Sequence, residues 1–141
     1  RSCEINRPKF SFEETYHPLD TPNIPVISVV SIGELRSFVL QRGWGKSRIA
    51  ALNEFLQQFV VADINAKDVI ERYAEIDAFS QGKLKNHPLL TSARNMGKND
   101  LWIAATASVA NAKLITTDAD FDHLNGKFLD VIRIKVEHKK L

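Results

Sequence analysis

The chain has 141 residues, 44% hydrophobic and 26% charged, values that suit one globular domain with a buried core and exclude a disordered chain. Its net charge of +2 and pI near 8.8 are compatible with a nucleic-acid partner without demanding one. The single cysteine, Cys3, excludes an internal disulfide and a cysteine-based zinc site; no apolar run approaches the ~18 residues of a membrane span and no signal peptide opens the chain, so a reducing cytoplasm is expected.

In chain order, Ser11 to Tyr16 reads as the end of a helix that stops near Pro18. Leu19 to Pro25 reads as a loop, because each proline drives the residue before it away from helical angles. Val26 to Val30 is a short β-branched run of the kind that buried strands use. Ser31 is then placed as the cap of a helix reaching about Gln41, ended by Gly43 and Gly45. A second helix is expected over Lys46 to Gln58, with Ile49, Leu52, Phe55, Leu56 and Phe59 at helical spacing.

Phe59 to Ile64 reads as a strand. The next helix starts at Asn65 or Lys67, with Val69, Ile70, Tyr73, Ile76 and Phe79 on its apolar face. Ser80 to Lys98 is polar and without a clear period, part of it a loop beside the site. Asn99 to Ala110 is a strong helix, Leu114 to Thr117 a strand, and Asp130 to Val136 a closing strand. Strand and helix alternate throughout, so the economical fold is α/β: a parallel sheet covered by helices on both faces.

Chemistry is carried by acids. Glu34, Asp100 and Asp118 each follow a β-like run or open a helical segment, which places them on one edge of a parallel α/β domain, the edge where such folds bind ligands. Carboxylates that converge repel unless a cation or a proton holds them, so the pattern points to a divalent metal. Each acid also has a structural explanation. Ser31 to Glu34 matches a capping box. Asp100 sits where a helix dipole favours an acid, behind Asn99 as the expected cap. Asp118 and Asp120 can each close a turn on their own backbone, and Asp118 is the one favoured for chemistry because it lies nearer the strand end. Asp63, Asp68, Asp77, Asp122 and Asp130 read as solvated or capping residues.

Other chemistries find no support. His17, His87, His123 and His138 are scattered without the HExxH spacing of a zinc site. No phosphate-cradling glycine motif is present, and Ser28 and Ser31 lie in no nucleophile elbow. The basic residues Arg36, Arg42, Lys46, Arg48, Lys83, Lys85, Arg94 and Lys98 are placed either to flank the acidic edge and hold phosphates or to lie on a solvated surface.

The segments ISVVSIGELRS, GKNDLWIAATA and LITTDADFDHL, in this order, resemble the PIN-domain nucleases, and among them look closest to VapC-type toxins of prokaryotic toxin–antitoxin pairs. The resemblance spans nearly the whole chain, and NDLWIAATA followed by LITTDADF is its most specific part. It implies a three-layer α/β/α domain with a mostly parallel central sheet, and an Mg²⁺- or Mn²⁺-dependent endoribonuclease. It also implies an RNA substrate, a small antitoxin partner and a homodimer. By the same resemblance Glu34, Asp100 and Asp118 are the metal ligands, Asp120 is a further acidic position of the catalytic group, and Thr116 or Thr117 lies beside the acids. Asn99 or Thr117 would orient the attacking water.

The chain departs from the family at its start. Such proteins open with a strand bearing an Asp in an LDTN-like motif, whereas Arg1 here falls just after that strand. Leu19 to Asn23 resembles the motif, but it directly precedes the Val26 strand, so Asp20 is expected in a loop. The expectation is a single PIN-like domain over residues 1–141 lacking its first strand, through truncation, gene decay or supply of the strand by another chain. An intact mass well above 15.9 kDa would favour truncation. The alternative reading is a catalytically inactive PIN-fold module that binds RNA or a protein. A receiver-like phosphoacceptor domain is disfavoured, because this chain lacks the paired acids at the first strand and the well-placed lysine that such a domain needs.

Overall fold

The computed structural model describes residues 24–62 and 66–135. The helix expected over Ser11 to Tyr16, the loop placement of Asp20, and the ends of the strands at Ile64 and Val136 lie outside these residues.

Among the described residues, four short strands and four α-helices follow in chain order: β1 (Val26–Ser28), α1 (Val29–Arg42), α2 (Lys46–Leu56), β2 (Val60–Ala62), α3 (Lys67–Ser80), α4 (Lys98–Val109), β3 (Leu114–Thr116) and β4 (Val131–Arg133). A 3₁₀ helix, Ala119–Leu124, joins β3 to β4. Pairing is parallel: Val26 aligns with Val60 in β1–β2, and Leu114 with Val131 in β3–β4. The fold is therefore α/β, as expected. Among the described residues, however, its strands form two separate pairs rather than one continuous sheet.

Local chemistry explains where the elements begin. The strand expected over Val26 to Val30 ends at Ser28, because Ser28 and not Ser31 caps α1. The Ser28 hydroxyl accepts from the Ser31 N–H at 3.0 Å, which turns the chain into helix two residues earlier than the valine run suggests. Ser31 thus sits in the first turn, and no capping box forms with Glu34. The other end of α1 behaves as read: Gly43 adopts φ 61°, and the N–H groups of Gly43 and Trp44 return to the carbonyls of Leu40 and Val39. In α4 the cap is Gly97, not Asn99, and Gly97 offers no side-chain bond. Asn99 and Asp100 are therefore the second and third helical residues.

Helices α3 and α4 pack on each other and on the β3–β4 unit to form the core. Val69, Ile76, Phe79, Met96, Leu101, Ala104, Ala105, Phe121, Leu124 and Leu129 are buried in one cluster. Tyr73 lies against Trp102 with ring centroids 4.2 Å apart. Ala104 and Ala105 are fully buried, and their small side chains suit close approach of the helices. Ile70, expected on the buried face of α3, is 51% exposed instead. Helix α2 has no buried residue at all, despite its apolar spacing. Residues 81–97 form the irregular stretch expected between α3 and α4. No helix among the described residues is long and apolar enough to cross a membrane.

Ile76 is fully buried at the centre of the α3–α4 contact. Ile76→Ala is expected to lower unfolding stability by about 2–5 kcal/mol, the usual cost of lost burial plus a residual cavity, as read by urea denaturation.

Candidate metal centre

The acidic group is assembled by two helix starts. Asp100 enters at the first turn of α4, where the unpaired N–H groups favour a negative side chain. Asp118 caps the 3₁₀ helix directly after β3, and Asp120 lies in that helix's first turn. Ligand oxygens from Asp100, Asp118 and Asp120 all lie within 4.8 Å of one another.

Turn geometry fixes the Asp118–Asp120 pair. The Asp118 Oδ1 accepts from the Asp120 N–H at 2.8 Å, and the Thr116 hydroxyl accepts from the Asp118 N–H at 3.0 Å. Thr116, rather than Thr117, is thus the hydroxyl residue that shapes the turn. Asp118 combines the local cap with a place in the acidic group. Beyond the group, Arg133 meets Asp122 at 3.3 Å and the Asn125 side chain accepts from the Val131 N–H, tying the 3₁₀ helix to β4.

Glu34 lies outside the tight three-acid group, although it was expected beside Asp100 and Asp118. It is an exposed residue in the second turn of α1, a helix that touches α4. Its charge is still felt. The Asp100 carboxyl is raised above its ordinary value of 3.8, first by burial, then by the charges of Asp118, Glu34 and Asp120. Asn99 is exposed on α4.

His123 has a role that its sequence position did not signal. Its Nε2 is 2.7 Å from the hydroxyl of fully buried Ser80, and its ring lies parallel to that of Phe79. Ser80 also reaches the Met96 sulfur at 3.3 Å. The 3₁₀ helix carrying two of the acids is thereby pinned to the end of α3. Burial, then Arg94, holds the His123 pKa below its ordinary 6.5, partly opposed by the Asp120 backbone and by Asp120 and Asp122.

All three close donors are carboxylate oxygens, a hard set suited to Mg²⁺ or Mn²⁺ and short of the nitrogen or sulfur that zinc prefers. Asp118 and Asp120 are exposed, which leaves room for the waters Mg²⁺ retains. The raised Asp100 carboxyl is consistent with the same fit: burial raises it first, and a cation would relieve the like-charge crowding that adds to the rise.

The model of the PIN domain family matches residues 13–127. A search of the curated proteins finds no match. Among solved structures, the chain is similar to VapBC2 from Rickettsia felis bound to a DNA fragment from its promoter, at 22% identity and a TM-score of 0.70, over 89% of this chain and 86% of that one. It is similar to VapBC-1 from nontypeable Haemophilus influenzae, at 25% identity and a TM-score of 0.65, over 91% and 87%. A toxin–antitoxin structure of VapBC-5 from Mycobacterium tuberculosis matches at 27% identity and a TM-score of 0.52, over 77% and 80%.

Two stability outcomes follow. An Asp with a raised folded pKa loses stability as pH rises through that value, so ionised Asp100 destabilises the metal-free protein at neutral pH. Asp100→Asn is expected to raise the thermal midpoint in EDTA and to remove the further rise given by Mg²⁺, a gain that reaches about 2.7 kcal/mol at 100 times the dissociation constant. His123 has the opposite sign: its stabilisation is complete above pH 6.5 and is lost as pH falls through its lower folded pKa. His123→Gln should flatten that part of a plot of thermal midpoint against pH.

Proposed function

The chain belongs to the PIN-domain family, and on that premise we propose that it is a divalent-metal-dependent endoribonuclease acting as the toxin of a toxin–antitoxin pair. The observation that carries this reading is the convergence of the Asp100, Asp118 and Asp120 oxygens within 4.8 Å. Three neighbouring anions are a poor arrangement for stability alone, and a good one for gripping a small cation beside a phosphodiester.

In this reading Asp100, Asp118 and Asp120 hold Mg²⁺ or Mn²⁺. When bound, such an ion offsets charge on the phosphodiester under attack and favours deprotonation of water. Asp118 contributes the oxygen not engaged by the Asp120 N–H, while Thr116 and that N–H keep the carboxylate from turning away. Glu34 faces the group from α1 and acts through an intervening water. His123 and Ser80 hold the 3₁₀ helix so that Asp118 and Asp120 meet Asp100.

The similar solved structures are VapBC complexes, which supports a small antitoxin as partner of this chain. Val26, Val60 and Val61 expose apolar surface on the β1–β2 pair, a feature more common at protein contacts than on isolated surfaces. The homodimer and the cytoplasmic location belong to the same reading, as does a single PIN-like domain over residues 1–141.

Cleavage of single-stranded RNA should require Mg²⁺ or Mn²⁺ and stop in EDTA. Asp100→Asn should lower the rate by about a hundredfold or more, since even supporting residues of metal sites cost 10–100-fold. RNA binding without metal-dependent cleavage by the unaltered chain would instead identify a binding module.

A further inference from the structure

The α1–α2 hairpin carries a second cluster that the acidic group does not use. Between positions 36 and 48 the sequence holds Arg36, Arg42, Lys46 and Arg48 and no acid. Two of these cations lie on aromatic rings: the Arg42 guanidinium is 5.3 Å from the Phe38 centroid, and that of Arg48 is 5.7 Å from the Trp44 ring. Phe38 and Trp44 meet edge to face, with centroids 5.8 Å apart. The four side chains thus form one alternating aromatic–cation cluster at the hairpin tip, with Phe38 44% exposed.

That cluster lies in line with Glu34 on α1. Glu34, Phe38 and Arg42 are four residues apart along α1, so they share one stripe of its surface. Each step rises about 6 Å, which puts Arg42 roughly 12 Å along the helix from Glu34, the residue whose charge reaches Asp100. Planar rings with interleaved guanidinium groups stack unpaired bases and neutralise phosphates. They suit a flexible single strand better than a rigid duplex, whose bases are already stacked.

We propose that Phe38, Arg42, Trp44 and Arg48 form a stacking platform that grips single-stranded RNA on one side of the bond to be cut. The proposal rests on the nuclease reading and adds where the strand runs. The platform supplies affinity and register; the acids supply the chemistry.

The test uses the full chain bearing Asp100→Asn, in metal-free buffer, with a fluorescein-labelled single-stranded RNA of about 12 nucleotides, within the range of stacking sites. Fluorescence anisotropy reads the dissociation constant. Trp44→Ala and the pair Arg42→Gln with Arg48→Gln should each weaken binding about tenfold, whereas Trp44→Phe, which keeps a ring, should bind nearly as the parent. Lys113→Gln, beyond the far end of α4, serves as the charge control and should change little. The arginine pair keeps the rings in place, so it decides the matter if Trp44→Ala lowers the folding midpoint.

Parent-like affinity in the arginine pair, or a loss matched by Lys113→Gln, would overturn the platform and leave the tip to an acidic protein partner. Cleavage by the chain with native Asp100 is scored separately. Binding that depends on the tip, without any Mg²⁺- or Mn²⁺-dependent cleavage, would retain the platform and overturn the nuclease reading.

Discussion

Mutual repulsion among three carboxylates is the constraint around which this molecule is arranged. Asp100, Asp118 and Asp120 bring their oxygens within 4.8 Å of one another, and the Asp100 carboxyl, raised first by burial and then by the charges of Asp118, Glu34 and Asp120, holds its proton more tightly. A chain free to relax would swing those groups apart into water. It does not, because each acid is followed or framed by an anchored residue. Leu101 follows Asp100 and is 2% exposed; Phe121 follows Asp120 and is 4% exposed. Moving either acid would drag a core side chain out of a packed interior, at a cost of several kcal/mol for residues of that size.

The rest of the core serves the same end. Helix α3 packs against α4, and its last residues, Phe79 and Ser80, hold His123 of the 3₁₀ helix. The turn bearing Asp118 and Asp120 is therefore fixed at its start by Thr116 and at its end by His123 and by the Arg133–Asp122 pair. By contrast, the α1–α2 hairpin contributes little to the core: only Val39 is buried in α1, and no residue in α2. Among the described residues, the well-packed part thus presents the three close acids, and the sparsely buried hairpin presents rings and cations.

What was legible in the sequence follows the same division. Helix α4 was readable because its apolar residues begin immediately after a polar start, and Asp118 and Asp120 because a β-branched run ends just before them. The positions of the caps were not readable. Two serines, Ser28 and Ser31, are equally good cap residues, and the choice fell to the pairing of β1 with β2, a long-range contact. Gly97 starts α4 without any side-chain bond, so Asn99 looked the better cap. Membership of the tight group was likewise hidden, since placing Asp120 ahead of Glu34 depends on how α1 leans on α4. The anchoring role of His123 depends on Ser80, 43 positions away, and no local pattern carries that.

The apolar pattern of α2 misled in a more instructive way. Ile49, Leu52, Phe55, Leu56 and Phe59 recur at helical spacing, which ordinarily marks a face turned toward a core. The helix forms, yet Phe55 stays 44% exposed and pairs edge to face with Phe59 at 5.2 Å. Periodicity reports that a face will be covered, not that this chain covers it. Apolar area left in water costs roughly 25 cal/mol per Å², so an amphipathic helix with no buried residue gains stability from whatever settles upon it. The similar VapBC structures contain a second protein, and the proposed antitoxin of this chain would find in α2 and the β1–β2 pair a surface already patterned for burial. Under the two proposals the tip, with its rings and arginines, serves a strand of bases, and the exposed side chains of Phe55, Val60 and Val61 serve a protein.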